Sequence, residues 1–251
     1  MQKKAEQAVI LAAGMGSRLQ SLGHGAPISK PLVKLAGEEM ILRTMRTLNS
    51  AGIKRFTVVL GYMADELRSF IEKAVKTQPF TVDFVFNPKW NGFANGLSLL
   101  AAEKLVEGHF VLSMCDHAFD REIPRRLVAE DDARFEVRLC IDRKIASVYD
   151  LDDATKVRTA GERIVAISKD LGEYDAVDCG VFLCRSGIFA ELHAVEAEKG
   201  DASLSDGMRR LGAVGKFGYM DIGAAMWQDA DTPETLTHAE KLMAEGTIRF
   251  P

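Results

Sequence analysis

The chain has 251 residues, 47% of them hydrophobic, which is enough to bury one large core. Its 32 basic and 36 acidic residues leave a formal charge of -4, which excludes the global positive field that draws a protein onto nucleic acid or an anionic membrane. No stretch approaches the roughly 18 apolar residues of a membrane span, so a soluble chain without membrane insertion is expected.

Two lysines, Lys3 and Lys4, precede the apolar run Ala8 to Ala13, but the run is short and ends in Gly14-Met15-Gly16-Ser17-Arg18 without a small-residue cleavage site. It reads as a first strand entering a glycine loop, not as a secretory signal. A helix follows over Ile41 to Ala51, with Ile41, Met45 and Leu48 on one face and Gly52 where a C-terminal cap belongs. Phe56 to Leu60 is the next strand, Ala64 to Val75 the next helix, and Phe80 to Phe86 the next strand. A helical stretch from about Gly96 to Val106 then leads to the apolar strand Phe110 to Met114. This βαβα alternation predicts a Rossmann-like α/β fold, its sheet mixed but mostly parallel and covered by helices on both faces.

After Asp116 the pattern changes. Glu136 to Ile141, Ser147 to Val157, Arg163 to Ile167 and Val177 to Cys184 lie close together, with a turn at Thr159-Ala160-Gly161, and predict a small antiparallel insertion. The last helix starts at Thr232 as N-cap and Pro233 in the first turn, with Leu236, Ala239, Leu242 and Met243 as its buried face. With no repeats or linkers, the sequence reads as a single domain over 1–251, with a nucleotide-binding part over about 1–116 and an acceptor and metal part over about 117–251. Cys115, Cys140, Cys179 and Cys184 stand singly in apolar segments, away from metal-ligand spacings, and fit core positions in a reduced, cytoplasmic protein.

A strand running into a glycine loop presents backbone N–H groups to phosphate, and glycine allows both positive φ and close approach. A dinucleotide fingerprint would need glycine at Leu19, and a Walker loop would need Lys-Ser or Lys-Thr after the last glycine; neither is present. Asp116 follows the Phe110 to Met114 strand with only Cys115 between them, and in open α/β sheets ligands bind beyond the carboxyl ends of strands. Magnesium takes one or two carboxylates together with phosphate and water, so a second aspartate is needed.

Leu11-Ala12-Ala13-Gly14-Met15-Gly16-Ser17-Arg18, followed after eleven residues by Lys30-Pro31, resembles the signature of the nucleotidyltransferase superfamily, which includes sugar-phosphate nucleotidyltransferases and the molybdenum-cofactor guanylyl- and cytidylyltransferases. The resemblance implies a nucleotide-diphospho-sugar transferase-like fold in which the loop wraps a triphosphate and Arg18 and Lys30 neutralise its oxygens. It also implies a second metal aspartate within Trp227-Gln228-Asp229-Ala230-Asp231-Thr232-Pro233, with Asp229 taken first and Asp231 able to share or exchange the role. Asn87, Asn95, Gly96 and Ser98, around the turn that enters the Gly96 helix, are candidate contacts to a pyrimidine base.

Met114-Cys115-Asp116-His117, Asp150 to Val157, Ser168-Lys169-Asp170 and Val177 to Phe182 extend the likeness to the CTP:inositol-1-phosphate cytidylyltransferases. That resemblance implies CTP and an inositol phosphate as substrates, Mg2+ as cofactor, and Asp142, Arg143, Lys156, Lys169 and Asp178 as acceptor contacts. Cys115 departs from the glycine common before the metal aspartate, and no membrane transferase domain is expected after Pro251, although some relatives are fused to one. Transfer of another nucleotide to a sugar phosphate, or of CMP to a different phosphoalcohol, stays open, as does a non-catalytic nucleotide sensor. His117 is expected to be a wall or structural residue.

Overall fold

In the computed structural model, which describes residues 4–251, the first apolar run becomes the buried strand β1 (Gln7–Ala12). Two short strands, β2 (Lys34–Leu35) and β3 (Glu38–Glu39), form a separate ribbon before helix α1 (Met40–Ser50). Ile41, Met45 and Leu48 are all fully buried on α1, and Gly52 just beyond it has φ 101°, the expected terminator. Then come β4 (Arg55–Leu60), α2 (Ala64–Ala74), β5 (Thr81–Phe86), α3 (Gly96–Ala101) and β6 (Phe110–Met114). The expected helix to Val106 is shorter: α3 stops at Ala101 and a separate 3₁₀ turn covers Glu103–Leu105.

The second half contains β7 (His117–Phe119), α4 (Glu122–Ala129), β8 (Val137–Asp142), the hairpin β9 (Lys156–Ala160) and β10 (Arg163–Ser168), and the long strand β11 (Ala176–Cys184). Helices α5 (Gly187–Lys199) and α6 (Leu204–Ala213), strands β12 (Phe217–Asp221) and β13 (Trp227–Asp229), and helix α7 (Pro233–Ala244) complete the chain. The expected strand from Ser147 to Val157 is a correction: strand begins only at Lys156. Asp150 instead folds the preceding segment into a turn, its backbone oxygen accepting from Ala154 N (3.2 Å) and its carboxylate from Asp153 N (3.4 Å).

Nine strands form one mixed sheet in the order β5-β4-β1-β6-β11-β8-β12-β10-β9. The block β5-β4-β1-β6 is parallel throughout, and β8 and β12 are also parallel. The antiparallel pairings come from β11, which runs against β6 and β8, and from the β9-β10 hairpin. Alternate residues of the central strands face opposite helical layers: Ile10, Phe56 and Val58 pack with Ile41, Met45 and Ile71, whereas Val9, Leu11 and Val59 pack with Leu97, Ile188 and Leu192. Thr232 caps α7 in a reciprocal pair with Thr235, with Pro233 in the first turn as expected; Ala239 and Leu242 are buried and Leu236 and Met243 pack at the margin. All four cysteines are buried and free.

Candidate nucleotidyl-transfer site

The carboxyl ends of β1 and β6 place the glycine loop and Asp116 side by side, with Cys115 N donating to Leu11 O (3.3 Å). Leu11, Ala12 and Ala13 are buried in the strand end, while Gly14, Met15 and Ser17 are exposed. The backbone N–H groups of Gly14, Met15 and Gly16 donate to no other protein group among the described residues, so they are available to an anion. Gly16 is left-handed (φ 63°), and a Cβ there would lie 2.5 Å from the Cβ of Lys30. The lysine stem thus fills the space that only glycine leaves open.

Lys30 sits with its side chain only 12% exposed, and its ammonium bridges Asp116 Oδ2 and Asp231 Oδ1. Burial disfavours the charged amine, but the two carboxylates more than offset this and raise its pKa. Burial likewise opposes the Asp116 carboxylate, yet Lys30 and His117 hold it well below the ordinary carboxylate range. Arg18 reaches the same cluster, donating to Asp153 Oδ2 (2.9 Å) and to Asp231 Oδ2. Asp231 is therefore a site residue whose carboxylate binds two cations, while the helix-capping role beside it belongs to Thr232.

Strand β13 pairs with β7 so that Asp229 faces His117, and Ala230 N donates to Asp116 O (2.8 Å). This register brings together the two aspartates that are 113 positions apart in sequence, 229 less 116. Asp229 accepts from Gln228 Nε2 (2.8 Å) and is in no ion pair among the described residues. Burial raises its pKa, opposed by His117 and reinforced by Asp231 and Asp116. Oxygens of Asp153, Asp229 and Asp231 all lie within 4.8 Å of one another. An all-carboxylate set around an aspartate without a cation fits a hard divalent ion such as Mg2+. Asp153 was not among the residues singled out from sequence; the signal was present only as one of three aspartates in Asp150-Leu151-Asp152-Asp153.

Beside the cluster lies a cavity of 240 Å³ whose wall includes Asn95, Lys169, Asp178, Phe182, Met208 and Trp227. Of the five expected acceptor contacts, it contains two. Lys169 donates to Asp153 Oδ1 (2.5 Å), and Asp178 accepts from Gly180 N (2.6 Å), with burial raising its carboxyl to about 6. The other three are not in its wall. Asp142 is buried beneath the wall, where it accepts from Trp227 Nε1 (3.1 Å) and from the backbone N and Nζ of Lys144 (both 2.8 Å). Arg143, just beyond the end of β8, points away to Asp175 (2.7 Å) and Asp221 (3.3 Å) and lies over the Tyr219 ring. Lys156 donates to Asp152 O (3.0 Å) and is not part of the cavity wall.

The expected base contacts divide in the same way. Asn87 and Ser98 are buried and bonded to each other (2.9 Å), and Asn87 also accepts from Lys89 N (2.9 Å), so both are engaged internally. Gly96 is buried where a Cβ would meet Ala202 O at 2.4 Å, a helix-packing requirement. Asn95 remains exposed at the cavity, although its Oδ1 accepts from Leu204 N (3.0 Å). His117 lines the same cavity, as expected of a wall residue, and its Nδ1–H donates to Asp116 Oδ1 (2.7 Å); burial opposes the charged imidazole, but Asp116 raises its pKa to about 9.

Comparison with known proteins identifies the family and the fold. The chain is 34% identical over 245 residues to the bifunctional IPC transferase and DIPP synthase of Thermococcus kodakarensis, covering 97% of this chain and 52% of that protein. It is also 34% identical to the bifunctional IPC transferase and DIPP synthase of Rubrobacter xylanophilus, covering 94% and 51%. The chain thus spans about half the length of these curated relatives. The inositol-1-phosphate CTP transferase from T. maritima superposes with a TM-score of 0.85 at 27% identity, over 98% of this chain and 97% of that one. A putative glucose-1-phosphate thymidylyltransferase from Bacillus anthracis shares the fold at a TM-score of 0.82 and 19% identity, covering 98% of this chain and 97% of that one. The model of the MobA-like NTP transferase domain matches residues 8–211, and the chain belongs to that family of nucleotidyltransferases.

Proposed function

We propose that this chain is a magnesium-dependent cytidylyltransferase that transfers CMP from CTP to inositol 1-phosphate, giving CDP-inositol and pyrophosphate. The observation that carries the reading is the largely buried Lys30 held between Asp116 and Asp231, where the glycine loop and the acceptor cavity meet. The relatives named for IPC transfer and the similar structure of an inositol-1-phosphate CTP transferase support the choice of nucleotide and acceptor.

An acceptor phosphate oxygen attacks the α-phosphorus of CTP. The new P–O bond forms as the bond to the β-phosphate breaks, and pyrophosphate leaves with the electron pair. A phosphate monoester is already ionised at neutral pH, so the reaction needs no general base and the protein's task is positioning and charge stabilisation. The N–H groups of Gly14 to Gly16 receive the triphosphate, and Arg18 and Lys30 exchange their aspartate partners for its oxygens. Asp116 and Asp229, with Asp231 and Asp153 beside them, would hold Mg2+, which supplies Lewis-acid neutralisation of phosphate charge. Once Arg18 is engaged by nucleotide, Lys169 stays paired with Asp153 at the mouth of the cavity, placed to meet the acceptor phosphate, while Asp178 accepts from ring hydroxyls.

The buried free thiols suit a reducing cytoplasm, and no helix of the described residues is long and apolar enough to cross a membrane. A panel of four nucleoside triphosphates against inositol 1-phosphate, phosphocholine, 2-aminoethylphosphonate and glucose 1-phosphate, read by pyrophosphate release, tests the reading. CTP with inositol 1-phosphate should have the highest kcat/KM. Preference for any other acceptor refutes the inositol assignment, and preference for any other nucleotide refutes the cytidylyl assignment.

A further inference from the structure

We infer that His117 is a positioning residue for the metal-binding carboxylate of Asp116, held in place by a stack that reaches from the acceptor-side sheet. The inference rests on the metal role assigned to Asp116 above. Each oxygen of Asp116 has a different partner: Oδ1 accepts from His117 Nδ1–H (2.7 Å), and Oδ2 binds Lys30. Lys30 can leave for phosphate on substrate binding, whereas His117 is confined by Trp227 and Gly180. Its ring is nearly parallel to the Trp227 indole, at 8° and 5.7 Å between centroids. On another side is Gly180, in the left-handed region at φ 72°, where a Cβ would come within 2.5 Å of His117 Cδ2. Any L-side chain at that position would both strain the backbone and displace the imidazole.

The stack has its own anchor. Trp227 Nε1–H donates to the buried Asp142 (3.1 Å), whose other oxygen accepts from the Lys144 backbone and ammonium. Asp142, Trp227, His117 and Asp116 therefore form one connected path, and the Asp142 and Gly180 ends lie on strands β8 and β11 beside the acceptor cavity. With Oδ1 fixed by His117, Asp116 presents Oδ2, the oxygen on the side of Lys30 and Asp231, to the cleft. Partners that orient a ligating carboxylate in this way typically matter by 10–100-fold in metal affinity or activity.

Binding of Mn2+ followed by electron paramagnetic resonance, without substrates, separates this positioning role from catalysis. His117→Leu, which keeps bulk but lacks the donor, should weaken Mn2+ binding by about 10- to 100-fold. Its Mg2+-dependent kcat should fall, while CTP affinity measured without metal stays within about twofold of wild type. His117→Asn, whose amide can donate to Oδ1, should recover most of that loss, and Gly180→Ala, which displaces the ring without removing it, should resemble the leucine variant. The inference is overturned if a folded His117→Leu protein binds Mn2+ like wild type, or if the asparagine and leucine variants are equally impaired. Failure of wild type itself to bind Mn2+ would instead remove the underlying metal assignment.

Discussion

Two glycines of the same loop should fail for different reasons when replaced by alanine. At Gly14 a Cβ meets no heavy atom within 4 Å, and φ is not in the left-handed region. Gly14→Ala should therefore leave stability within about 0.5 kcal/mol of wild type. On the proposed function the added methyl projects into the space the triphosphate would occupy, and an overlap costing about 1–3 kcal/mol would weaken CTP binding by roughly 5- to 150-fold. At Gly16 the same change costs about 1–2 kcal/mol for the left-handed backbone. A further ~1–3 kcal/mol is expected from the clash, because the methyl would lie 2.5, 2.6 and 2.9 Å from Cβ, Cδ and Cγ of Lys30. A total of about 2–5 kcal/mol corresponds to a Tm lowered by roughly 4–20 °C for a chain of this size. Displacing the lysine stem should also reduce turnover in whatever fraction stays folded. Differential scanning calorimetry and isothermal titration with CTP separate the two outcomes. Equal Tm values for both variants, or wild-type CTP affinity in Gly14→Ala, would refute the assignment of the loop.

Lys30→Ala should lower kcat by about 100- to 1,000-fold, yet calorimetric Mg2+ affinity should not weaken, because in the free protein the ammonium competes for Asp116 and Asp231. Asp229→Asn should abolish metal-dependent activity, whereas Asp231→Asn, which removes the partner of Arg18 and Lys30, should retain a weakened metal response; the reverse order in a metal titration would exchange their roles. Asp178 carries a carboxyl raised by burial from 3.8 to about 6, so the folded state holds its proton more tightly than the unfolded chain. Its contribution to stability is fully present below about pH 4 and is lost as pH rises through 6, amounting to at most about 3 kcal/mol. Urea titrations of Asp178→Asn against wild type should show the variant gaining relative stability over that interval, and a constant difference from pH 4 to 7 would contradict this.

The parts of the site carried by contiguous sequence were legible. An unbroken apolar strand, two glycines and Lys30-Pro31 specify the loop locally, and Thr232-Pro233 specifies the start of α7 in the same way. What sequence could not supply was the direction of individual side chains. Asp142 and Arg143 both looked like strand-end charges, but one is captured beneath Trp227 and the other points away to Asp175. Asn87 and Ser98 are polar residues in a suitable segment, yet 11 positions apart they satisfy one another. Asp153 was hidden among neighbouring turn aspartates, and only the fold of the hairpin brings it to Arg18 and Lys169. Helix α5 was not anticipated, since Ala190, Ala194 and Ala197 spread apolar character around its surface and blur the stripe. The start of α6 did carry a signal, Ser203 followed three residues later by Asp206, which forms a reciprocal cap.

The central claim, transfer of CMP to an inositol phosphate, is tested most directly by phosphorus NMR of a reaction containing the protein, CTP, inositol 1-phosphate and Mg2+. Two coupled diphosphate resonances should appear together with an equal amount of pyrophosphate; both should be absent without metal and should build up about 100- to 1,000-fold more slowly with Lys30→Ala. A folded protein that yields no diphosphate-linked product from these substrates, or that releases inorganic phosphate in place of pyrophosphate, would contradict it.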